Sequence, residues 1–574
     1  MKYVLDSRQM KQVDRLSINK FGMPSVVLME RAALGVVSLI ESKFSKSDKI
    51  ISVCGNGNNG ADGIAAARIL FEKGYEVTIL VDGVRTSEGE MQLSIAKKSG
   101  VKIKKYTRNK IKLNEYNLII DAIFGIGLSK DVEGRYSDLV AAVNDAKAKV
   151  VSVDIPSGIN ATNGQIMGTA VKADYTVTFG YRKIGLLLYP GTEYAGKIKV
   201  ADIGFPKVII PKIAKKAFTF TNEDIKRIPK RIKNSNKGMY GKVLVIAGSE
   251  YIGGAACLAA ISAYRTGAGL VKVLTHENNR DAVLKAVPEA LISTYDSDYA
   301  FDQIENIISK ELEWASCIIM GPGISKSKIA VTLTKYVLRN TRVPTIIDAD
   351  ALNIMADIII NTKADIITDT KTDVIANTKA DIIADTKTNI NADTKTDEIA
   401  DTKADTKTDE IADTKADIIA DTKTDMNVFS SADGATFILT PHIGEMERIS
   451  GFDKLVIKSD PIKYATEFVN CFSKTYAINL NVICVMKDAR TIVTDSNGST
   501  YINTSGNSGM AKGGSGDVLT GVIAGLISNK MSYFDAACLG VYIHGLAGNE
   551  SALKKGEYGM KAGDIIDNIC AVMK

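Results

Sequence analysis

Two series of short apolar runs, each run stopping in a Gly-, Asn- or Asp-rich loop before a helical pattern resumes, limit this chain's fold more than any other feature. In the first series KIISVC (49–54) runs into GNGNNGADG (55–63), and a helix is expected over Ala61–Lys73. Further strands are expected at Glu76–Val81, Leu118–Asp121 and Val150–Asp154, after helices over Ser7–Ser17 and Val26–Phe44. The second series starts at KVLVIAG (242–248) and continues through a helix over 258–269. CIIMGPG (317–323), PTIIDAD (344–350) and VICVMKDARTIVTD (482–495) follow, with a last helix over Asp517–Asn529. Strands alternating with helices predict parallel sheets covered on both faces. The fold class read from this is α/β, with two three-layer αβα domains.

Between Gly204 and Lys237 the periodicity lapses and Pro206, Pro211 and Pro229 sit among basic residues. This places a linker at 215–235 between domains at 1–214 and 236–574. One stretch fits neither series. From Thr362 the chain repeats every eight residues (TKADIITD, TKTDVIAN, TKADIIAD) as far as Asp425. On a 3.6-residue turn each such unit drifts by about 80°, so no helical face stays apolar. Adjacent Ile pairs spoil strand alternation. The repeat reads as a weakly structured surface excursion inserted into the second domain at about 357–430, without chemistry of its own.

Net charge is +6, but residues 362–425 hold nine Lys against fourteen Asp and two Glu, a net −7 that leaves +13 on the remainder. A basic remainder suits anionic ligands such as nucleotides. No dense Lys/Arg stripe with interleaved aromatics points to nucleic acid. Seven Cys form no CxxC pair and are expected to be reduced, buried thiols. Only three His are present, against a His-rich metal centre. The polar start MKYVLDSRQMKQVDRL lacks an apolar signal core, and no window of about 18 apolar residues exists. The expected setting is the cytoplasm, with no membrane partner.

In open α/β sheets ligands bind beyond the carboxyl ends of the strands. Asn59, in the first glycine loop, and Asp121, Asp154 and Ser157, in DAIFGIGLSKD (121–131) and VDIPSGIN (153–160), all fall at that edge. The loop's glycines admit close backbone approach, and its Asn and Asp oxygens suit a sugar or a hard cation. These segments, with GKIKVADIGFP (196–206), resemble the N-terminal domain of the YjeF family, the NAD(P)H-hydrate epimerases. The resemblance implies a potassium ion held by Asn59, Asp121 and Ser157. It also implies substrate contacts at Asn58, Asn59, Gly60, Ala61, Asp62, Gly125, Ile126, Gly127, Leu128, Ser129, Lys130, Asp131, Tyr136 and Asp154, with Asp154 as the acid/base. Ala61 stands where the family motif has Gly, a change expected to crowd a phosphate.

NTSGNSGMAKGGSGDVLTG (503–521) carries the most specific pattern in the chain. Gly513, Gly514 and Gly516 precede a helix, so their N–H groups form an anion hole for a transferring phosphoryl group. Asp517 is placed to take a proton from an attacking hydroxyl. The loop resembles that of ribokinase-like enzymes. With residues 253–271, MGPGI (320–324), TPHIGEM (440–446) and MKDART (486–491), it resembles the YjeF C-terminal domain, the NAD(P)H-hydrate dehydratase. That resemblance implies contacts of the hydrated cofactor with Ala255, Gly323, His442 and Asp517. It implies contacts of the nucleotide with Lys487, Asp488, Ala489, Arg490, Thr491 and Gly516. Ser325 and Asp488 stand where Gly is common, and both are expected to be tolerated.

The pair of resemblances implies a bifunctional enzyme that epimerises the R and S hydrates of NADH and NADPH and dehydrates the S hydrate with ADP. Magnesium would accompany ADP, and the family suggests a homo-oligomer. A ribokinase-like small-molecule kinase is the competing reading.

Overall fold

The computed structural model describes residues 1–108, 112–213, 217–360, 429, 434–475 and 480–574. The octad repeat lies outside the described residues. The first series forms a seven-stranded sheet of parallel pairs, in the order Lys102–Lys105, Glu76–Val81, Lys49–Cys54, Leu118–Ala122, Lys149–Val153, Tyr175–Phe179 and Lys197–Ala201. Five of the six residues in Lys49–Cys54 are buried, as a strand covered on both faces requires. The covering helix Asn58–Glu72 begins three residues earlier than its sequence pattern suggested. Gly57 caps it with extended backbone, so Asn58, Asn59 and Gly60 are its first turn.

The second sheet has twelve strands. Its parallel part runs Leu291–Tyr295, Leu270–His276, Lys242–Ile246, Cys317–Met320, Thr345–Ile347, Thr436–Leu439 and Asn481–Met486. Ile492–Asp495 and Thr500–Ile502 then follow antiparallel. Helices Gly254–Arg265 and Ser515–Ser528 pack on one face through small residues; a Cβ on Gly521 would stand 2.2 Å from the carbonyl oxygen of Ala259.

Three boundaries differ from the sequence reading. Ala217–Thr219, expected within the linker, is a strand paired with Thr500–Ile502. Lys2–Leu5, four residues too short to register as a periodic signal, pairs with Ala217–Thr219 on one side and with Arg182–Lys183 on the other. The first segment of the chain therefore extends the second domain's sheet, and Val4, Ile184, Leu187 and Leu188 share a core with Leu244, Ile318 and Cys484. Thirdly, the expected start of the insert at 357 falls inside a helix over 349–360. Ile358 and Ile359 are buried there, and Asp357 pairs with Arg448 at 2.6 Å.

Cys54, Cys317, Cys484 and Cys538 are buried free thiols, but Cys471 and Cys570 are exposed and Cys257 is half-buried. Among the described residues no helix is long and apolar enough to cross a membrane.

Candidate active sites

At the carboxyl edge of the first sheet lies a cleft of about 730 Å³. It brings together Asn58, Asn59, Asp62, Gly125, Ile126, Gly127, Leu128, Ser129, Lys130 and Asp154 of the expected set. Gly60, Ala61, Asp131 and Tyr136 do not reach its wall. Gly60 packs on the strand-end turn, where a Cβ would stand 1.9 Å from the Gly55 carbonyl oxygen. The Ala61 methyl is buried against helix Ser87–Lys98, near Gly89, so it crowds nothing in the cleft. Tyr136 stacks edge-on against Phe124 at 4.9 Å, and its hydroxyl is pushed up to about 12 by burial and Asp82.

Asp154 follows strand Lys149–Val153 with φ 67°, a left-handed conformation that turns the chain sharply at the strand end. Such a conformation costs a non-glycine residue about 1–2 kcal/mol. Its Oδ1 accepts hydrogen bonds from the Phe179 amide (3.0 Å), the Thr178 hydroxyl (3.2 Å) and the ammonium of Lys183. Lys183 is almost completely buried and also donates to Thr178 Oγ1 and the Phe179 carbonyl. Burial, then Asp154 and Asp14, hold the Asp62 carboxyl well above the usual range, with Lys183 opposing. Sequence reasoning missed Lys183 and Asp14. Each is an isolated residue outside any glycine loop, brought to the cleft only by the fold.

Asp121 is completely buried at the end of strand Leu118–Ala122. Its carboxylate accepts from the Ser152 hydroxyl, the Ser157 hydroxyl and amide, and the Ile123 amide. Ser157 Oγ in turn meets the Phe124 amide and carbonyl. Asn59 borders Gly125, and its buried Nδ2 has no hydrogen-bond partner. Asp121 and Ser157 are thus joined by hydrogen bonds, and Asn59 lies beside the loop that follows Asp121, at Gly125.

The second site lies at the carboxyl ends of Lys242–Ile246, Cys317–Met320, Thr345–Ile347, Thr436–Leu439 and Asn481–Met486. Gly514 (φ 91°) caps helix Ser515–Ser528, so the helix opens on Gly516 and Asp517. A Cβ on Gly516 would stand 3.3 Å from both Asp348 Oδ2 and Lys487 Nζ. Burial, then Asp348, raise Asp517 to about 6, with Lys487 opposing. Lys487 lies 2.5 Å from Asp348. Burial pulls its ammonium down, but Asp348 and Glu445 carry it above the usual lysine value.

Ala255 and Gly323 are neighbours, for a Cβ on Gly323 would stand 3.1 Å from that of Ala255. Asp350 accepts from the Ser325 amide at 2.9 Å, tying this turn to the carboxylates around Asp517. Ser325 has φ 65°, the physical reason that glycine suits the position. Within the expected nucleotide stretch, Asp488 and Ala489 are exposed and the Thr491 hydroxyl donates to the Asp488 carbonyl. Arg490 turns toward the first domain, donating from Nε to the Leu187 carbonyl at 3.0 Å and stacking on Tyr189. Asp348, Asp350 and Glu445 were not foreseen. DAD and GEM carry no spacing signal of their own, and only the sheet edge assembles them.

The geometry agrees with comparisons to known proteins. The model described as YjeF-related protein N-terminus matches residues 25–185, and the NAD(P)H-hydrate dehydratase model matches 243–375 and 390–571. The bifunctional NAD(P)H-hydrate repair enzyme Nnr of Moorella thermoacetica is 31% identical over 590 residues, covering 100% of this chain and 97% of that protein. The corresponding protein of Escherichia coli is 28% identical, covering 97% and 91%. The NAD(P)H-hydrate epimerase of Oenococcus oeni is 47% identical over 204 residues, 35% of this chain and 96% of its own length. With both domains matched and the whole chain aligned, the protein belongs to the family of bifunctional NAD(P)H-hydrate repair enzymes.

Proposed function

We infer that the chain repairs hydrated NADH and NADPH, epimerising the R and S hydrates in its first domain and dehydrating the S hydrate with ADP in its second. The observation that carries this reading is Asp517. It stands at the mouth of a glycine-capped helix, raised to about 6 and flanked by the Asp348–Lys487 pair. The small-molecule kinase reading shares the glycine loop but leaves the first domain without a purpose.

The hydrate carries its hydroxyl on C6, next to ring nitrogen N1. Asp517 accepts the hydroxyl proton as that oxygen attacks the terminal phosphorus of ADP, and AMP leaves. The N1 lone pair then expels phosphate from C6, and loss of the C5 proton restores the dihydronicotinamide. Helix N–H groups at 514–516 and the Lys487 ammonium stabilise charge on the phosphoryl group in transit. Among the described residues no three His, Cys, Asp or Glu cluster around a metal position. Magnesium bound with ADP would neutralise its phosphates, beside Asp348 and Asp350.

In the first site, inversion at C6, whether by ring opening or by loss and return of hydroxide, moves a proton at its hydroxyl. Asp154, ion-paired to Lys183, serves as the base, and Asp62, whose carboxyl burial and neighbouring carboxylates raise well above the usual range, serves as the acid. A potassium ion at Asn59, Asp121 and Ser157 would supply positive charge to bound phosphate. We assign the chain to the cytoplasm, where these cofactors turn over, and to a homo-oligomeric state.

The test follows near-ultraviolet absorbance of reduced nicotinamide after mixing the protein with hydrated NADH and ADP or ATP, with potassium and magnesium. Recovery of both epimers is expected. Recovery of one epimer removes the role of the first domain, and no recovery removes the repair reading.

A further inference from the structure

Lys183, whose ammonium meets Asp154 in the first site, takes its backbone position from the other domain. Its strand, Arg182–Lys183, is not part of the seven-stranded sheet; it is the last strand of the twelve-stranded one. Arg182 pairs with Val4 and Lys183 with Leu5, while Lys2 and Tyr3 of the same strand pair with Thr219 and Phe218. Ala217 and Phe218 in turn pair with Thr500 and Tyr501. The side chain runs the other way. Its Nζ donates to Asp154 Oδ1, to Thr178 Oγ1 at 2.9 Å and to the Phe179 carbonyl at 3.0 Å, groups that all belong to the first sheet and its edge. One residue thus spans two sheets, with its main chain on one and its charge on the other.

Four residues further on, the second domain grips the chain again. The Leu187 carbonyl accepts from Arg490 Nε at 3.0 Å, and the guanidinium carbon lies 5.4 Å from the centre of the Tyr189 ring. Arg490 stands in the turn between strands Asn481–Met486 and Ile492–Asp495. Around that turn, Ile184, Leu187 and Leu188 are buried in one cluster with Ile492 and Ile502. A hydrogen bond from a charged donor is roughly twice as strong as one between neutral groups.

We propose that Arg490, a residue of the second domain, is a positioning residue for the first site. By fixing the segment 184–189 it fixes strand Arg182–Lys183, and so sets the Lys183 ammonium against Asp154. The inference rests on the repair reading for what the first site does; the tie itself is a property of the free protein. Lys183 is 1% exposed, so water does not follow its ammonium if the strand shifts. A displacement of about 1 Å at a reacting group costs up to about 10²-fold in rate.

The test compares Arg490→Ala with Arg490→Lys, which keeps a charged donor, both in the full-length chain. Interconversion of the R and S hydrates is followed by chromatography without any nucleotide, so nothing Arg490 does toward ADP enters the result. Arg490→Ala is expected to lower kcat for interconversion by more than about tenfold and to keep KM within about threefold, because Lys183 acts through Asp154. Arg490→Lys is expected to recover kcat to within about threefold of the wild type.

Hydrogen–deuterium exchange on the same proteins reads the tie directly. Peptides covering 182–189 are expected to exchange about tenfold faster in Arg490→Ala, and at the wild-type rate in Arg490→Lys. Peptides covering Lys49–Cys54, inside the first sheet, are expected to stay unchanged. Should Arg490→Ala fail to fold, Tyr189→Leu, which removes the stacking partner from the first domain's side, is read in the same way. Wild-type interconversion in the folded variant, or unchanged exchange over 182–189, overturns the proposal. If the wild type interconverts no hydrate, the functional reading falls and the exchange measurement alone decides whether the second domain holds this segment.

Discussion

Lys487 sets its ammonium 2.5 Å from the carboxylate of Asp348, directly beside Gly516 in the first turn of helix Ser515–Ser528. The pair is nearly buried and its two charges act on Asp517 with opposite sign. It therefore serves both stability and the acidity of the base.

Asp348→Asn separates these two roles. Asp517 works deprotonated, so dehydration by the wild type should fall as pH drops through about 6. Removing the Asp348 charge removes one cause of that raised value, and the acid limb of kcat should move to lower pH. The variant also leaves Lys487 without its carboxylate, at a cost of about 3 kcal/mol by the usual price of breaking a buried pair. Urea unfolding measures the second effect and a pH–rate profile the first.

Asp517→Asn should lower dehydration by about 10²–10⁴ while epimerisation is unchanged. It should also stabilise the protein. Burial first, then Asp348, raise Asp517 from 3.8 to about 6 in the folded state. A raised carboxyl contributes stability that is complete below 3.8 and lost as pH climbs through about 6. At pH 8 the neutral Asn escapes that loss, a gain on the order of 2 kcal/mol. The gain should vanish near pH 4, and thermal or urea unfolding at the two pH values checks it.

Asp154→Asn should abolish interconversion of the two hydrates and leave dehydration of the S hydrate intact, so that only one epimer is recovered. Lys183→Met should do the same and also destabilise the first domain, because Asp154 would remain in the cleft wall with its countercharge gone. Chromatographic separation of the epimers over time reads both variants.

Deleting 362–425 should leave both activities within about twofold, since the repeat contributes no glycine loop and none of the residues assigned above. The flanking elements, the helix over 349–360 and strand Thr436–Leu439, belong to a shared core. The assay of both epimers on the deleted chain tests this. Loss of dehydration would give the repeat a part in the second site.

The two α/β series, the glycine loops at 55–63 and 513–516, and Asp154 and Asp517 as strand-end and helix-start carboxylates were legible in the sequence because each is local. An apolar run, a turn residue and a helix start lie within a few positions of one another. The same locality hides where side chains point. Gly60 and Ala61 sit in a motif but face the protein interior, and Arg490 sits in a nucleotide stretch but turns to Leu187.

The sequence by itself thus determined where glycine loops turn strands into helices and which carboxylates stand at the sheet edges. Only the tertiary structure decided what those carboxylates can do. Lys183 reaches Asp154 across 29 positions and Lys487 reaches Asp348 across 139. A charge's effect depends on distance and burial in space, and neither is written in the spacing of residues along the chain.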